Sequence, residues 1–272
     1  MITRIISGIV GVIALVAVLI FLPDYATKIA VGVVASIALF EFYGAVLGKG
    51  AVLLKKAPLV VAGYAFGLAL AFVDKEYMLP VIVFGAIVIL SIPVLCYKKI
   101  TFKDCTAAFI GCVYIFALLR HVSMVRSLEN GKFIVFAIFI GAFITDTGAY
   151  FAGCFLGKHK LAPKLSPKKT VEGSIGGIVA TLLVFCGYAY IGNYFWDYGV
   201  NIGNLVITAI SLSVISQIGD LAASAIKREM DIKDYGNIMP GHGGALDRFD
   251  SVLFVAPVFY YLNELLPIFV IK

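Results

Sequence analysis

Apolar runs of about 16 to 26 residues fill nearly the whole of this 272-residue chain, and about 20 such residues let an α-helix cross a hydrocarbon core about 30 Å thick. The runs cover residues 5–22, 28–47, 58–73, 77–96, 105–125, 133–156, 173–194, 203–228 and 249–270. They predict an all-α polytopic membrane protein of about nine transmembrane helices. Hydrophobic residues make up 61% of the chain and charged ones 14%, against about 25% charge in a soluble domain. No soluble domain of useful size fits between the runs. Leu22-Pro23-Asp24-Tyr25 offers no small-residue cleavage site, so the first run reads as a span.

An odd number of spans puts the two termini on opposite sides, and the charge of alternate loops then sets the orientation. Sixteen of the 22 Lys and Arg residues fall on the side of the N-terminus. The bias predicts a cytoplasmic N-terminus and an external C-terminus in the inner (cytoplasmic) membrane. The two longest loops, 157–172 and 229–248, then both face the cytoplasm. The sequence divides into residues 1–130, spans one to five without a motif, and residues 131–272, spans six to nine with the two loops. Gly-x-x-x-Gly pairs at Gly44/Gly48, Gly63/Gly67, Gly153/Gly157 and Gly173/Gly177 let membrane helices approach closely. The five cysteines are scattered and lack a C-x-x-C pair, which suggests neither a disulfide framework nor a zinc site.

Asp146 and Asp220 lie inside predicted spans, where an ionised carboxylate costs at least ~2.5–3.5 kcal/mol unless it is paired or hydrated. On the eighth predicted helix Asp220, Ser224, Lys227 and Arg228 recur at i, i+4, i+7 and i+8, one face running toward the loop side. At 1.5 Å per residue, Asp220 sits about 12 Å below the end of that helix and Asp146 about 15 Å below the end of the sixth. A polar stripe there implies a wet cavity. It leads into Pro240-Gly241-His242-Gly243-Gly244-Ala245-Leu246-Asp247-Arg248-Phe249-Asp250, whose glycines free backbone N–H groups to approach an anion. Asp247 and Asp250, one turn apart, can share a cation. The loop 157–172 holds Ser166-Pro167-Lys168-Lys169-Thr170, a stiff basic stretch suited to binding phosphate ahead of a Gly-rich helix.

Ser224-Ala225-Ile226-Lys227-Arg228, Lys233-Asp234, Pro240-Gly241-His242-Gly243-Gly244 and Asp247-Arg248-Phe249-Asp250 together resemble the signature of the phosphatidate cytidylyltransferase family. Asp146-Thr147-Gly148-Ala149-Tyr150, Ser166 to Thr170 and Gln217-Ile218-Gly219-Asp220 are similar to that family as well. Met239 and Ala245 stand where other hydrophobic residues are expected, and no polar position is disturbed. The resemblance implies a helical membrane enzyme, a homodimer, Mg²⁺ dependence, and the reaction of CTP with phosphatidate to give CDP-diacylglycerol and pyrophosphate in phospholipid biosynthesis.

That chemistry needs two polyanions brought together, which is a matter of positioning and electrostatics. Three carboxylates beside such substrates would repel them without a divalent cation. Asp220, Asp247 and Asp250 are therefore expected as metal ligands, with a second cation allowed and Asp146 as a further polar anchor. Lys227 and Arg228 join them as catalytic candidates. Ser166, Lys168, Lys169, Ser224, His242, Gly243, Gly244 and Arg248 are expected to contact substrate phosphate. A CTP-dependent polyprenol kinase or an archaeal-type lipid cytidylyltransferase would share part of this pattern, and a secondary transporter would also place carboxylates in the membrane. The absence of a repeat and the gathering of charge on one face count against a transporter. The D-G-x-x-A-R pattern of a CDP-alcohol phosphotransferase is absent.

Overall fold

The computed structural model describes residues 2–196, 198–238 and 243–271. His242 therefore lies outside the described residues. Each of the nine apolar runs is helical over most of its length: α1 (Ile2–Phe21), α2 (Asp24–Val46), α3 (Ala57–Phe72), α4 (Lys75–Leu95), α5 (Phe102–Arg126), α6 (Gly131–Leu156), α7 (Val171–Trp196), α8 (Ile202–Glu229) and α9 (Leu246–Leu265). Among the described residues six of them, α2 and α4 to α8, are both long and apolar enough to cross a membrane. The apolar parts of α1 and α3, Gly8–Phe21 and Ala57–Phe72, are shorter. α9 opens with three charges, Asp247, Arg248 and Asp250. The chain is a polytopic, mainly helical membrane protein.

It divides into two compact units, Met1–Ser127 with Glu229–Phe249, and Leu128–Arg228 with Asp250–Lys272. Within the first unit a side chain of α2 holds the backbone of the segment Glu229–Phe249.

In the first unit small residues admit large ones. A Cβ at Gly67 would lie 2.6 Å from the Phe116 ring, and one at Gly63 would collide with Tyr43. The Tyr43 hydroxyl reaches Ala108 O at 3.2 Å and Cys112 Sγ at 3.1 Å, closing α2, α3 and α5 on one another. Helix ends leave carbonyls without partners, and cationic side chains take them here. The Arg126 guanidinium donates to Leu19 O (2.7 Å) and Leu22 O (3.1 Å) beyond α1 and pairs with Asp24 (2.7 Å). Arg120 donates to Leu70 O and Val73 O at the end of α3, and Lys28 to Phe72 O. Three of the six basic residues on the charge-poor side are thus committed to helix C-termini, where cations also meet the favourable end of the macrodipole.

In the second unit α6 and α7 meet along a glycine seam. A Cβ at Gly148 would lie 2.5 Å from Ala180 Cβ, one at Gly173 2.7 Å from Ala149 O, and one at Gly177 2.9 Å from Thr145 O. α6 loosens to a π-helical turn at Ile140–Ile144 and returns to α geometry at Thr145. Such turns re-aim the side chains that follow, and Asp146 is the second residue after it. Two small antiparallel ribbons were not expected from sequence. β1 (Lys160–Ala162) pairs with β2 (Ser166–Thr170), and β3 (Tyr198–Val200) with β4 (Phe269–Ile271). The ninth span, expected to reach residue 270, ends as helix at Leu265, because Pro267 disfavours helical geometry at Leu266, and β4 follows.

The seam is expected to tolerate no side chain. Gly176→Leu should lower the thermal unfolding temperature in detergent by an overpacking cost of about 1–3 kcal/mol or more. Gly187→Leu, on the same helix where a Cβ meets nothing within 4 Å, should leave it unchanged, and equal effects would rule out the seam as the cause.

Candidate active site

The second unit carries the larger polar cluster. α7 begins where Thr170 is seated over the seam: a Cβ at Gly157 would come within 2.8 Å of its methyl group, and the Thr170 hydroxyl accepts from Gly173 N at 3.1 Å. That contact anchors the end of β2. Glu172 fixes the other strand, accepting from Lys158 N at 3.0 Å, His159 N at 3.2 Å and His159 Nδ1 at 2.6 Å. Successive residues of a strand point to opposite faces. With Thr170 buried, Lys169 turns toward α8 and Lys168 is exposed.

Lys169 Nζ lies 2.5 Å from Asp220 Oδ2. Asp220 Oδ1 accepts a long bond, 3.4 Å, from Ser224 one turn on. Lys227 Nζ stands 4.0 Å from Asp250 Oδ2, both side chains about one-tenth exposed. Arg228 Nε donates to Leu165 O at 3.3 Å, at the turn between β1 and β2. The face of α8 read from the sequence is thus a connected polar surface. α9 approaches it because Gly219 has no side chain: a Cβ there would sit 3.0 Å from Asp250 O. Asp146 Oδ2 accepts from Ser251 Oγ at 3.0 Å, while Ser251 N donates to Asp250 Oδ1 at 2.8 Å. Asp250 lies within electrostatic reach of Asp220, Asp146 and Lys227.

Asp146, Asp220 and Asp250 therefore come from three helices to one cluster with Lys169 and Lys227. Among the described residues no three His, Cys, Asp or Glu side chains close on a single point. The arrangement fits Mg²⁺, which takes one or two carboxylates and completes its octahedron with waters and substrate phosphates. It does not fit a cage made of protein alone.

The first unit holds the glycine-rich loop. Gly243 has φ +85°, a conformation only glycine adopts freely. Asp247 Oδ2 accepts from Tyr235 N at 2.8 Å and Gly244 N at 3.0 Å. Glu41 of α2 accepts from Ala245 N at 3.0 Å and Leu246 N at 2.9 Å. In this structure the amides of Gly244, Ala245 and Leu246 thus donate to these two carboxylates, and Gly243 sets the backbone turn just before them. Arg248 is exposed and Ser166 half-buried.

Glu41 escaped the reading of the sequence. The signal was present, because an ionisable residue inside the run 28–47 meets the same criterion that singled out Asp146 and Asp220. Its partners are backbone groups two hundred residues away, which no motif records. Glu172 and His159 were passed over because their role is to hold the ribbon that presents Lys169.

The profile of the cytidylyltransferase family matches residues 2–266. A phosphatidate cytidylyltransferase of Staphylococcus haemolyticus is 40% identical over 179 residues, 66% of this chain and 65% of that protein. One of Bacillus subtilis is 39% identical over 193 residues, 71% of this chain and 70% of its own length. One of Staphylococcus epidermidis is 42% identical over 179 residues, covering 66% and 65%. The matched region thus spans about two thirds of the length of these relatives.

If Lys169 and Asp220 form one pair, a double-mutant cycle of Lys169→Met and Asp220→Asn in thermal or denaturant unfolding should return a coupling of about 0.5–3 kcal/mol. Lys168→Met paired with Asp220→Asn should return none. Equal couplings for the two lysines would remove the ribbon's assigned register.

Proposed function

The chain belongs to the cytidylyltransferase family, and on that basis we propose that it is a phosphatidate cytidylyltransferase, making CDP-diacylglycerol and pyrophosphate from CTP and phosphatidate. The observation that carries this reading is the cluster of Asp146, Asp220 and Asp250 with Lys169 and Lys227 in the second unit. A phosphate oxygen of phosphatidate attacks the α-phosphorus of CTP, a new P–O bond forms there, and the bond to the β-phosphate breaks. The second pKa of a phosphate monoester is near 6, so the nucleophile is already ionised near neutral pH and needs no dedicated base.

The work left to the protein is to hold two polyanions together in line. Lys169, Lys227 and Arg228 neutralise and orient phosphate, Arg by its planar fork and Lys as a point charge. Lys168, Arg248, Ser166 and Ser224 add phosphate contacts. The Lys169–Asp220 and Lys227–Asp250 pairs are poised for exchange, since an arriving phosphate satisfies the lysines as a cation satisfies the carboxylates. Asp220 and Asp250 would hold Mg²⁺, with Asp247, three residues before Asp250 in the sequence, as the third ligand candidate and a second cation allowed. A cation held there would supply charge neutralisation for the departing pyrophosphate. Asp146 orients the start of α9 through Ser251. The reading includes nine spans in the cytoplasmic membrane, an N-terminus on the cytoplasmic side, where CTP is made, an external C-terminus, and a homodimer as the resemblance implies.

Purified protein with CTP, phosphatidate and Mg²⁺ should release pyrophosphate and CDP-diacylglycerol. Product formed from polyprenol instead would replace this function with the kinase. Asp220→Asn and Asp250→Asn should each lower turnover per folded molecule by about 10²-fold or more, weaken Mn²⁺ binding measured directly, and combine non-additively. A double variant with near-native turnover and Mn²⁺ affinity would sink the metal assignment.

Orientation is checked by thiol labelling. In intact cells, Lys168→Cys should resist a membrane-impermeant reagent and Trp196→Cys should react. The reverse pattern inverts the topology and puts CTP on the wrong side.

A further inference from the structure

Glu41 is buried in α2 at 4% exposure, and both of its oxygens are used on backbone. Oε1 accepts from Ala245 N and Oε2 from Leu246 N, two of the N–H groups that the start of α9 leaves without an intrahelical partner. The loop is shaped to receive this carboxylate. A Cβ at Gly236 or at Gly244 would collide with it, and the ring of Phe42, the next residue, packs 6.4 Å from that of Tyr235. Asp247 ties the same loop from the other side through Tyr235 N and Gly244 N. Four amides between residues 235 and 246 are therefore held by two carboxylates.

An ionised carboxylate at a helix start is favoured by the macrodipole and by charge-assisted bonds to the N–H groups. A cap normally comes from the residue preceding the helix. Here it comes from a helix far away in sequence, so α2 determines where the first turn of α9 lies. That turn carries Asp247 and Arg248. We propose that Glu41 is a positioning residue for the cytidylyl transfer: it touches no reacting atom and sets the place of Asp247 by clamping the loop and the start of α9. The inference rests on the function proposed above.

Two measurements on the full chain in detergent test it, with Glu41→Ala, which removes both acceptors, and Glu41→Gln, which keeps the volume and one acceptor oxygen. Hydrogen–deuterium exchange needs no substrate. Amides 243–249 should exchange about tenfold faster in Glu41→Ala, the scale of a lost helix cap, with Glu41→Gln in between and α7 unchanged. In the assay with CTP and phosphatidate, kcat per folded molecule should fall about a hundredfold in Glu41→Ala, the loss that a misplacement of about 1 Å costs. KM for CTP should change far less, and Glu41→Gln should recover part of kcat.

Native exchange at 243–249 in both variants overturns the clamp. Faster exchange with native kcat per folded molecule overturns the positioning role and leaves Glu41 as a structural cap. A native chain that makes no CDP-diacylglycerol overturns the proposed function, and the exchange measurement still decides the clamp.

Discussion

An ionised side chain in hydrocarbon costs at least ~2.5–3.5 kcal/mol unless something compensates it, and the placement of charge in this chain follows from two ways of meeting that cost. Arg120, Arg126, Lys28 and Glu41 meet it with backbone groups at helix ends. Asp220 and Asp250 meet it with the side chains of Lys169 and Lys227. The difference is chemical. A carbonyl or amide at a helix end cannot leave, so the first kind of contact is permanent. A lysine and a carboxylate can each take another partner, so the second kind of contact is exchangeable.

The exchangeable pairs are in turn placed by residues without charge. Glycine along α6 and α7 lets the two backbones approach to the distance at which Thr170 fits between Gly153, Gly157 and Gly173. Thr170 ends the ribbon, Lys169 on its opposite face reaches Asp220, and Lys168, farther from the seam, is exposed. Gly219 does the same for α9, admitting the main chain of Asp250 against α8. Packing of small residues is a main driving force between helices in lipid, where the solvent is as apolar as the side chains. The same force that assembles the second unit thus sets the distances in its polar cluster.

The apolar length of the helices and the polar face of α8 were legible in the sequence, and Asp146, Asp220 and Asp250 stood out there as charges within or beside apolar runs. Each is a local property: apolar length, a 3.6-residue period, or a charge where the surroundings are apolar. The glycine-rich run was legible as a place where backbone N–H groups can meet an anion, and the amides of Gly244, Ala245 and Leu246 donate to carboxylates. Which carboxylates those are, sequence does not show. Lys168 and Lys169 were indistinguishable in the sequence, and the ribbon separates them.

What the sequence by itself determined, then, is the solvent of this protein, its predominantly helical character and the cost attached to each buried charge, since these depend on residue type and spacing alone. What only the tertiary structure decided is which partner meets that cost. Asp220 meets a lysine fifty-one residues upstream, and Glu41 meets amides two hundred residues downstream. Side-chain chemistry states that a buried carboxylate must have donors, but many donors satisfy that requirement equally, and the choice among them is made by how closely the helices pack.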